Sequence, residues 1–306
     1  MLRITLTAAL LSAATVLGGC GSGKRASTSA STSKSTSASS SASASSSAGK
    51  RCEQIATAAS PTGPTAGTPD LKTLVRSVVA HPPNEFSFTQ SSCVGSHQTS
   101  LAARAQLRPR LRMLIANQTQ TGEGFREERL IGGTVYIKVP DIASRDGGRP
   151  WVLISLSRVG NAVGLNLQKL IGQVSNANPS RTLRLLRATR KLEPTGAVTI
   201  AGRRAFGYRT TFTPANLARG TVSADLVRQL RGVLARVKAT SETISVYVNR
   251  HGQLVRIVTS LNSGSLGPIT SVEDVHSTGG GSLKISPPPA SQLVGFQRLR
   301  QLAGGG

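Results

Sequence analysis

Apolar positions along this chain alternate between a helical and a strand-like period, and each change of period marks an element. Thr68 can cap a helix with Pro69 at its first position and Asp70 in its first turn, after which Leu71, Leu74, Val75 and Val78 share one face. Pro82 and Pro83 end that helix near His81. Phe86 and Phe88 alternate with polar neighbours in Glu85 to Gln90. Leu107, Leu111, Met113 and Ile115 alternate with Arg108, Arg110 and Arg112 around Pro109, so both segments read as strands, the second with a basic face. Gly132-Gly133 separates Arg129-Leu130-Ile131 from Thr134 to Val139 and predicts a tight hairpin. Trp151 to Leu156 reads as another strand. Helices follow over Leu165 to Gln173 and from Asn178-Pro179 to about Leu192, then strands at Ala197 to Ile200 and Phe206 to Phe212. A helix from Ser223 to about Lys238 and a hairpin of Thr243 to Val248 with Leu254 to Leu261 close the pattern.

Most of these strands meet a neighbour across a short turn, which predicts an α+β fold: a strongly curved antiparallel sheet, or half-barrel, covering several helices. One side of each strand would be buried, with either a filled core or a cavity between the layers. The domain is expected over 67–288, because Ser277 to Gly281 and Pro287 to Pro289 mark an exit. Residues 289–306 form a tail in which Leu293 to Leu302 reads as a small basic helix or a frayed end.

The N-terminus follows different rules. Arg3, an apolar run from Ile4 to Leu17, and Gly18-Gly19 before Cys20 make residues 1–19 a signal peptide, since the run is too short for a membrane span of about 20 apolar residues. Leu17-Gly18-Gly19-Cys20 resembles the lipobox of bacterial lipoproteins, which implies diacylglycerol on Cys20 and an extracytoplasmic place on the cell membrane. Residues 20–66 are expected to be a disordered Ser/Ala/Thr-rich tether, because they lack the apolar bulk to offset ordering, and their hydroxyls could carry sugars. In an oxidising compartment Cys52 and Cys93 are predicted to pair and staple the end of the tether to the first strand region.

Charge narrows the partners. The chain has 37 basic residues, six of them at or before Arg51, against 13 acidic ones, a formal net charge of +24. Such a balance favours a polyanion, and export turns the choice from nucleic acid toward anionic lipid headgroups or wall polymers. Lys24, Arg25, Lys50 and Arg51 could hold the tether against an anionic surface. The rival explanation is an arginine-rich composition with a solvated basic face.

The ordered pieces resemble a family. Ile131 to Pro140, Gly148-Arg149-Pro150-Trp151-Val152 with Ser155-Leu156, Val198 to Gly202 with Gly207-Tyr208-Arg209, and Val246-Tyr247-Val248 through Gly252 to Arg256 resemble actinobacterial lipoproteins of the LppX and LprG type. These belong to the wider group of LolA-like lipoprotein carriers. The resemblance implies a half-barrel over helices, with a hydrophobic cavity that carries lipid in some members. The long tether, the basicity and the extra cysteines depart from the pattern.

Catalytic chemistry is not apparent. His81, His97, His251 and His276 fall in turns or loop-like stretches without metal-ligand spacing, and Glu127 and Glu128 are adjacent on a strand, so they face opposite sides. No nucleophile elbow, phosphate loop or zinc helix is present, and neither a cofactor nor a metal is expected. For binding, the lining candidates are Phe86, Phe88, Val135, Ile137, Phe206, Tyr208, Phe212, Val246 and Val248, which an ordinary packed core would show equally well. The expectation is a non-enzymatic protein that binds or carries a lipid or amphiphile. The alternative is an adaptor docked on wall polymers or a protein complex, with no ligand cavity.

Overall fold

In the computed structural model of this chain, the residues described are 41–304 apart from 96, 120–124, 156–178, 188, 190–191, 214, 216–226, 228–230, 233, 236, 265 and 279–283. The expected signal peptide, the lipobox-like run ending in Cys20, the expected helix over Leu165 to Gln173 and most of the helix expected over Ser223 to Lys238 lie outside them.

Two antiparallel meanders make one sheet. The first runs β1 (Glu85–Val94), β2 (His97–Gln106), β3 (Arg112–Thr119), β4 (Phe125–Ile131), β5 (Thr134–Lys138) and β6 (Trp151–Ser155). The second runs β7 (Glu193–Ile200), β8 (Arg203–Phe212), β9 (Glu242–Val248), β10 (Leu254–Ser263) and β11 (Gly267–Thr278). A short β12 (Leu293–Gly295) adds to β6, giving twelve strands in the order β12-β6-β5-β4-β3-β2-β1-β11-β10-β9-β8-β7. The sheet is therefore open, as the α+β reading requires. Register shifts in the β1–β11, β9–β10 and β7–β8 pairs act as bulges, which raise twist and bend a sheet of this size.

The meanders join where β1 pairs with β11: Phe88 faces Val275, Gln90 faces Glu273, Ser92 faces Ser271 and Cys93 faces Thr270. Even-numbered β1 residues point to the inner face and Cys93 to the outer. On the inner face, Leu71 and Val75 with Leu183 and Leu186 of α5 (Pro179–Arg187) pack against Tyr208, Phe212, Val246, Val248, Leu254 and Ile257. Leu71 begins the short α2 (Leu71–Leu74), and Val75 links it to α3 (Arg76–Ala80). Across the first meander, Leu299 of α6 (Phe296–Gly304) joins a cluster with Phe86, Phe88, Met113, Leu130 and Ile154.

Several expectations are corrected. The tether gives way at Ser41 to α1 (Ser41–Ala59), which lies on the outer face. Its Cys52 is disulfide-bonded to Cys93 with Cα atoms 5.7 Å apart, Thr270 Oγ1 donates to the Cys52 carbonyl at 3.2 Å, and Arg256 Nη1 donates to the Ala59 carbonyl at 3.3 Å. These contacts reward ordering that the composition alone could not. Asp70, not Thr68, is the cap, accepting from the Thr73 amide at 2.8 Å. Leu107 to Leu111 form a turn rather than a strand, since Pro109 lacks an amide hydrogen. Asn84 pins that turn by accepting from Arg108 N at 2.7 Å and donating to Arg108 O at 2.9 Å. The basic helix from Pro179 stops at Arg187, not Leu192.

The expected tail supplies β12 and α6. β12 runs parallel to β6, whereas the other described strand pairs are antiparallel. Buried Asp146, in the turn after α4 (Pro140–Ala143), holds α6 by accepting from Arg298 Nε at 3.0 Å, and Arg149 Nη2 lies 2.9 Å from its other oxygen.

At the opposite edge, the strap 61–64 lies along β7: Gly63 N donates to Thr195 O at 2.9 Å and Ala197 N donates to Pro64 O at 3.0 Å. Gly196 has φ +94, and a Cβ there would strike the Gly63 carbonyl, whereas Gly202 (φ +75) has open space around it. Gly202→Ala should therefore cost only the left-handed strain of roughly 1–2 kcal/mol, and Gly196→Ala at least about 3 kcal/mol, measured by urea denaturation. Equal costs would show that the strap does not press on β7. Removing the disulfide by Cys52→Ser with Cys93→Ser should lower stability by about 2–5 kcal/mol in the same assay.

Candidate functional site

The nine lining candidates all stand at inner-face positions, but in two groups. Phe86, Phe88 and Val135 are buried in the first meander's cluster with Ile137 packed against it; the two phenyl rings stack 6.1 Å apart. Tyr208, Phe212, Val246 and Val248 are buried in the second meander's cluster with Phe206 against it. Tyr208 is partly committed elsewhere, because its hydroxyl donates to the Pro69 carbonyl at 2.7 Å. Burial first, and then the charge of Asp70, push its pKa well above the usual phenol range.

Between the two apolar groups lies a polar one that strand periodicity did not reveal. Gln90 and Ser92 of β1 and Ser271 and Glu273 of β11 share the inner face at the junction of the meanders. Gln90 Nε2 donates to Ser271 Oγ at 2.7 Å and to Ser92 Oγ at 3.3 Å, and the two serine hydroxyls are 3.2 Å apart. Gln90 Oε1 and Glu273 Oε1 are shut off from solvent with no hydrogen-bond partner. Burial, and secondarily the charge of Asp274, push the Glu273 carboxyl up to about 8. Burial alone pushes Glu242, at the start of β9, up to about 7.

Charge is sorted by face. Among the described side chains, the carboxyls on the inner face are Glu128, Glu242 and Glu273, while His97 and Arg204 are exposed at strand ends. The outer face holds Arg129, whose guanidinium lies 4.6 Å from the Trp151 ring centroid, and Lys138, 5.9 Å from it. Glu127 pairs with Arg129 at 2.8 Å on that outer face while Glu128 is buried, so the two adjacent carboxylates do point apart. Arg104, Arg108 and Arg110 are exposed at and beside the β2–β3 turn.

His97 and His276 sit on strands rather than in loops; His276 Nε2 is 2.9 Å from Thr89 Oγ1. Among the described residues, no three His, Cys, Asp or Glu side chains are placed to hold a metal ion, and no helix is long and apolar enough to cross a membrane.

The chain is similar to a solved mycobacterial lipoprotein. That structure is LppX from Mycobacterium tuberculosis, with 13% identity and a TM-score of 0.41 over 70% of this chain and 98% of that one. LprF from Mycobacterium bovis matches with 10% identity and a TM-score of 0.45 over 73% and 100%. A LolA superfamily protein from Nitrosomonas europaea matches with 10% identity and a TM-score of 0.25 over 72% and 96%. LppX-type and LolA-like proteins, named above from the sequence, are thus among the solved structures this chain resembles. No protein-family model and no curated protein matches the sequence.

Glu242 and Glu273 both hold a proton more tightly when folded, so the stability each contributes is whole below its ordinary pKa of 4.5 and is lost as pH rises through about 7 and about 8 respectively. Glu242→Gln and Glu273→Gln stay neutral throughout. The wild type's unfolding free energy, taken relative to each variant, should fall between pH 4.5 and the folded pKa, over a wider window for Glu273. A difference that stays flat from pH 4 to 9 would mean that the two carboxyls ionise freely.

Proposed function

We propose that this protein is a non-enzymatic, extracytoplasmic lipoprotein that binds or carries a lipid or other amphiphile on the inner face of its sheet. Diacylglycerol on Cys20 anchors it to the cell membrane. The observation that carries the reading is the open sheet's inner face, where two apolar groups, around Phe86 and Phe88 and around Phe212 and Val246, flank a polar seam. Acyl chains would lie against the apolar groups, since each methylene removed from water gains about 0.8 kcal/mol. Basic side chains at the β2–β3 turn, Arg104, Arg108 and Arg110, would meet anionic headgroups or wall polymers from outside. The likeness to LppX and to a LolA superfamily protein agrees in kind with this reading.

Native mass spectrometry of the protein purified from its own host should find a lipid bound to the folded domain, and a domain empty in every preparation would end the carriage reading. Intact mass of the mature N-terminus should show a diacylglyceryl group on Cys20, and Cys20→Ala should release the protein from the membrane fraction. Retention of that variant would place the anchor elsewhere.

A further inference from the structure

The polar seam is costly unless something uses it. Gln90 is 8% exposed, and an unpaired buried amide or carboxyl costs about 1–3 kcal/mol. The hydrogen bonds among Gln90, Ser92 and Ser271 help fix strand register, yet they leave one carboxamide atom of Gln90 and one carboxyl oxygen of Glu273 without partners on directly opposite residues. Buried Phe88 and Val275 flank this pair on one side and Ser92 and Ser271 on the other, so it stands where the polar seam meets the apolar inner face. Leu101 of β2 faces Gln90 from the other neighbouring strand, and Ile257 of β10 faces Glu273. Neither can supply a hydrogen bond.

We propose that Gln90 and Glu273 form a hydroxyl-recognition subsite, which takes a free alcohol group of a neutral amphiphile whose acyl or alkyl chain lies on the adjoining apolar face. This rests on the carriage reading above. A hydroxyl matches the two orphans because it donates and accepts at once. It donates to Gln90 Oε1 and accepts from the Glu273 carboxyl, which is protonated at neutral pH because burial holds its pKa up to about 8. If the carboxamide is turned over, the hydroxyl accepts from Gln90 and donates to Glu273, so the match survives either orientation. An anionic phosphate offers only acceptors and would be repelled whenever Glu273 ionised. The basic side chains of the outer face are not at this position, so they cannot set the choice here.

The test uses the full mature chain and two probes that differ only in hydroxyls, an alkylglycerol ether and its fully O-methylated form, competed for the protein and read by native mass spectrometry. The wild type should prefer the alkylglycerol by about tenfold, the worth of one or two hydrogen bonds to buried groups. Gln90→Met and Glu273→Met should bring that preference to within about twofold, while Glu273→Gln, which can still donate and accept, should keep most of it. Equal binding of both probes by the wild type, or a preference that survives both Met variants, overturns the subsite and leaves carriage standing. Failure of both probes to bind at all overturns carriage and the subsite with it, and binding of the methylated form alone overturns the subsite. Should the Met variants not fold, the infrared stretch of the protonated Glu273 carboxyl decides: it should shift with the alkylglycerol and not with the methylated form, and an unchanged band overturns the assignment.

Discussion

Pairing of β1 with β11 is the constraint on which the rest of the molecule depends. Most neighbouring strands within each meander meet across short turns, but joining the meanders pairs residues 86–94 with 269–278, close to the two ends of the domain. Closing so long a loop has a large entropic cost before any contact is gained, so the junction must be strongly favoured and its register unambiguous. Both faces contribute. On the outer side α1 is fastened across the seam by the Cys52–Cys93 bond and the Thr270 hydroxyl. On the inner side Gln90 reaches across to Ser271. A slip of β11 by one residue would carry Val275 to the outer face and turn Asp274, now bidentate with Arg256, into the interior.

The sorting of charge follows from the same geometry. With 37 basic and 13 acidic residues, self-repulsion is eased when the basic groups stay in solvent. The carboxyls that the fold buries on the inner face escape the desolvation cost by holding protons, as Glu242 and Glu273 do. Burial thus favours the neutral form of both carboxyls in a strongly cationic chain. The fold thereby separates the inner-face carboxyls from exposed basic side chains such as Arg104 on the opposite face.

Legibility in the sequence tracked how strictly a strand alternates. The hairpin at Gly132-Gly133, with φ +59 at Gly132, and the turn in which the Asn249 carboxamide accepts from the amides of His251 and Gln253 were readable because turn chemistry and alternation agree there. β11, the longest strand, was not readable, because Ser271 and Glu273 occupy positions where an apolar residue would have announced a buried face. β2 was missed for a related reason: beside Leu101 its inner face holds Ala103 and Ala105, small residues with little strand preference, whose packing against β1 makes up for it. Alternation places all nine lining candidates on the inner face. The polar pair between them was not found this way, since alternation searches for apolar residues and the pair's meaning appears only when β1 and β11 are set side by side.

An open sheet also has to protect two edges, and here the segments outside the expected domain do so. The strap 61–64 satisfies backbone groups of β7 on one side, and its closeness is possible only because Gly63 and Gly196 both lack a Cβ. On the other side β12 is three residues long and is followed at once by α6, whose Leu299 enters the core and whose Arg298 is held by buried Asp146. Composition marks both segments as dispensable, Gly- and Pro-rich before the domain and basic after it. Yet edge cover requires short, irregular or charged pieces rather than further apolar strands, because a long regular strand there would only move the exposed edge outward. What reads in the sequence as the end of the fold is therefore the part that allows the sheet to stay open without aggregating.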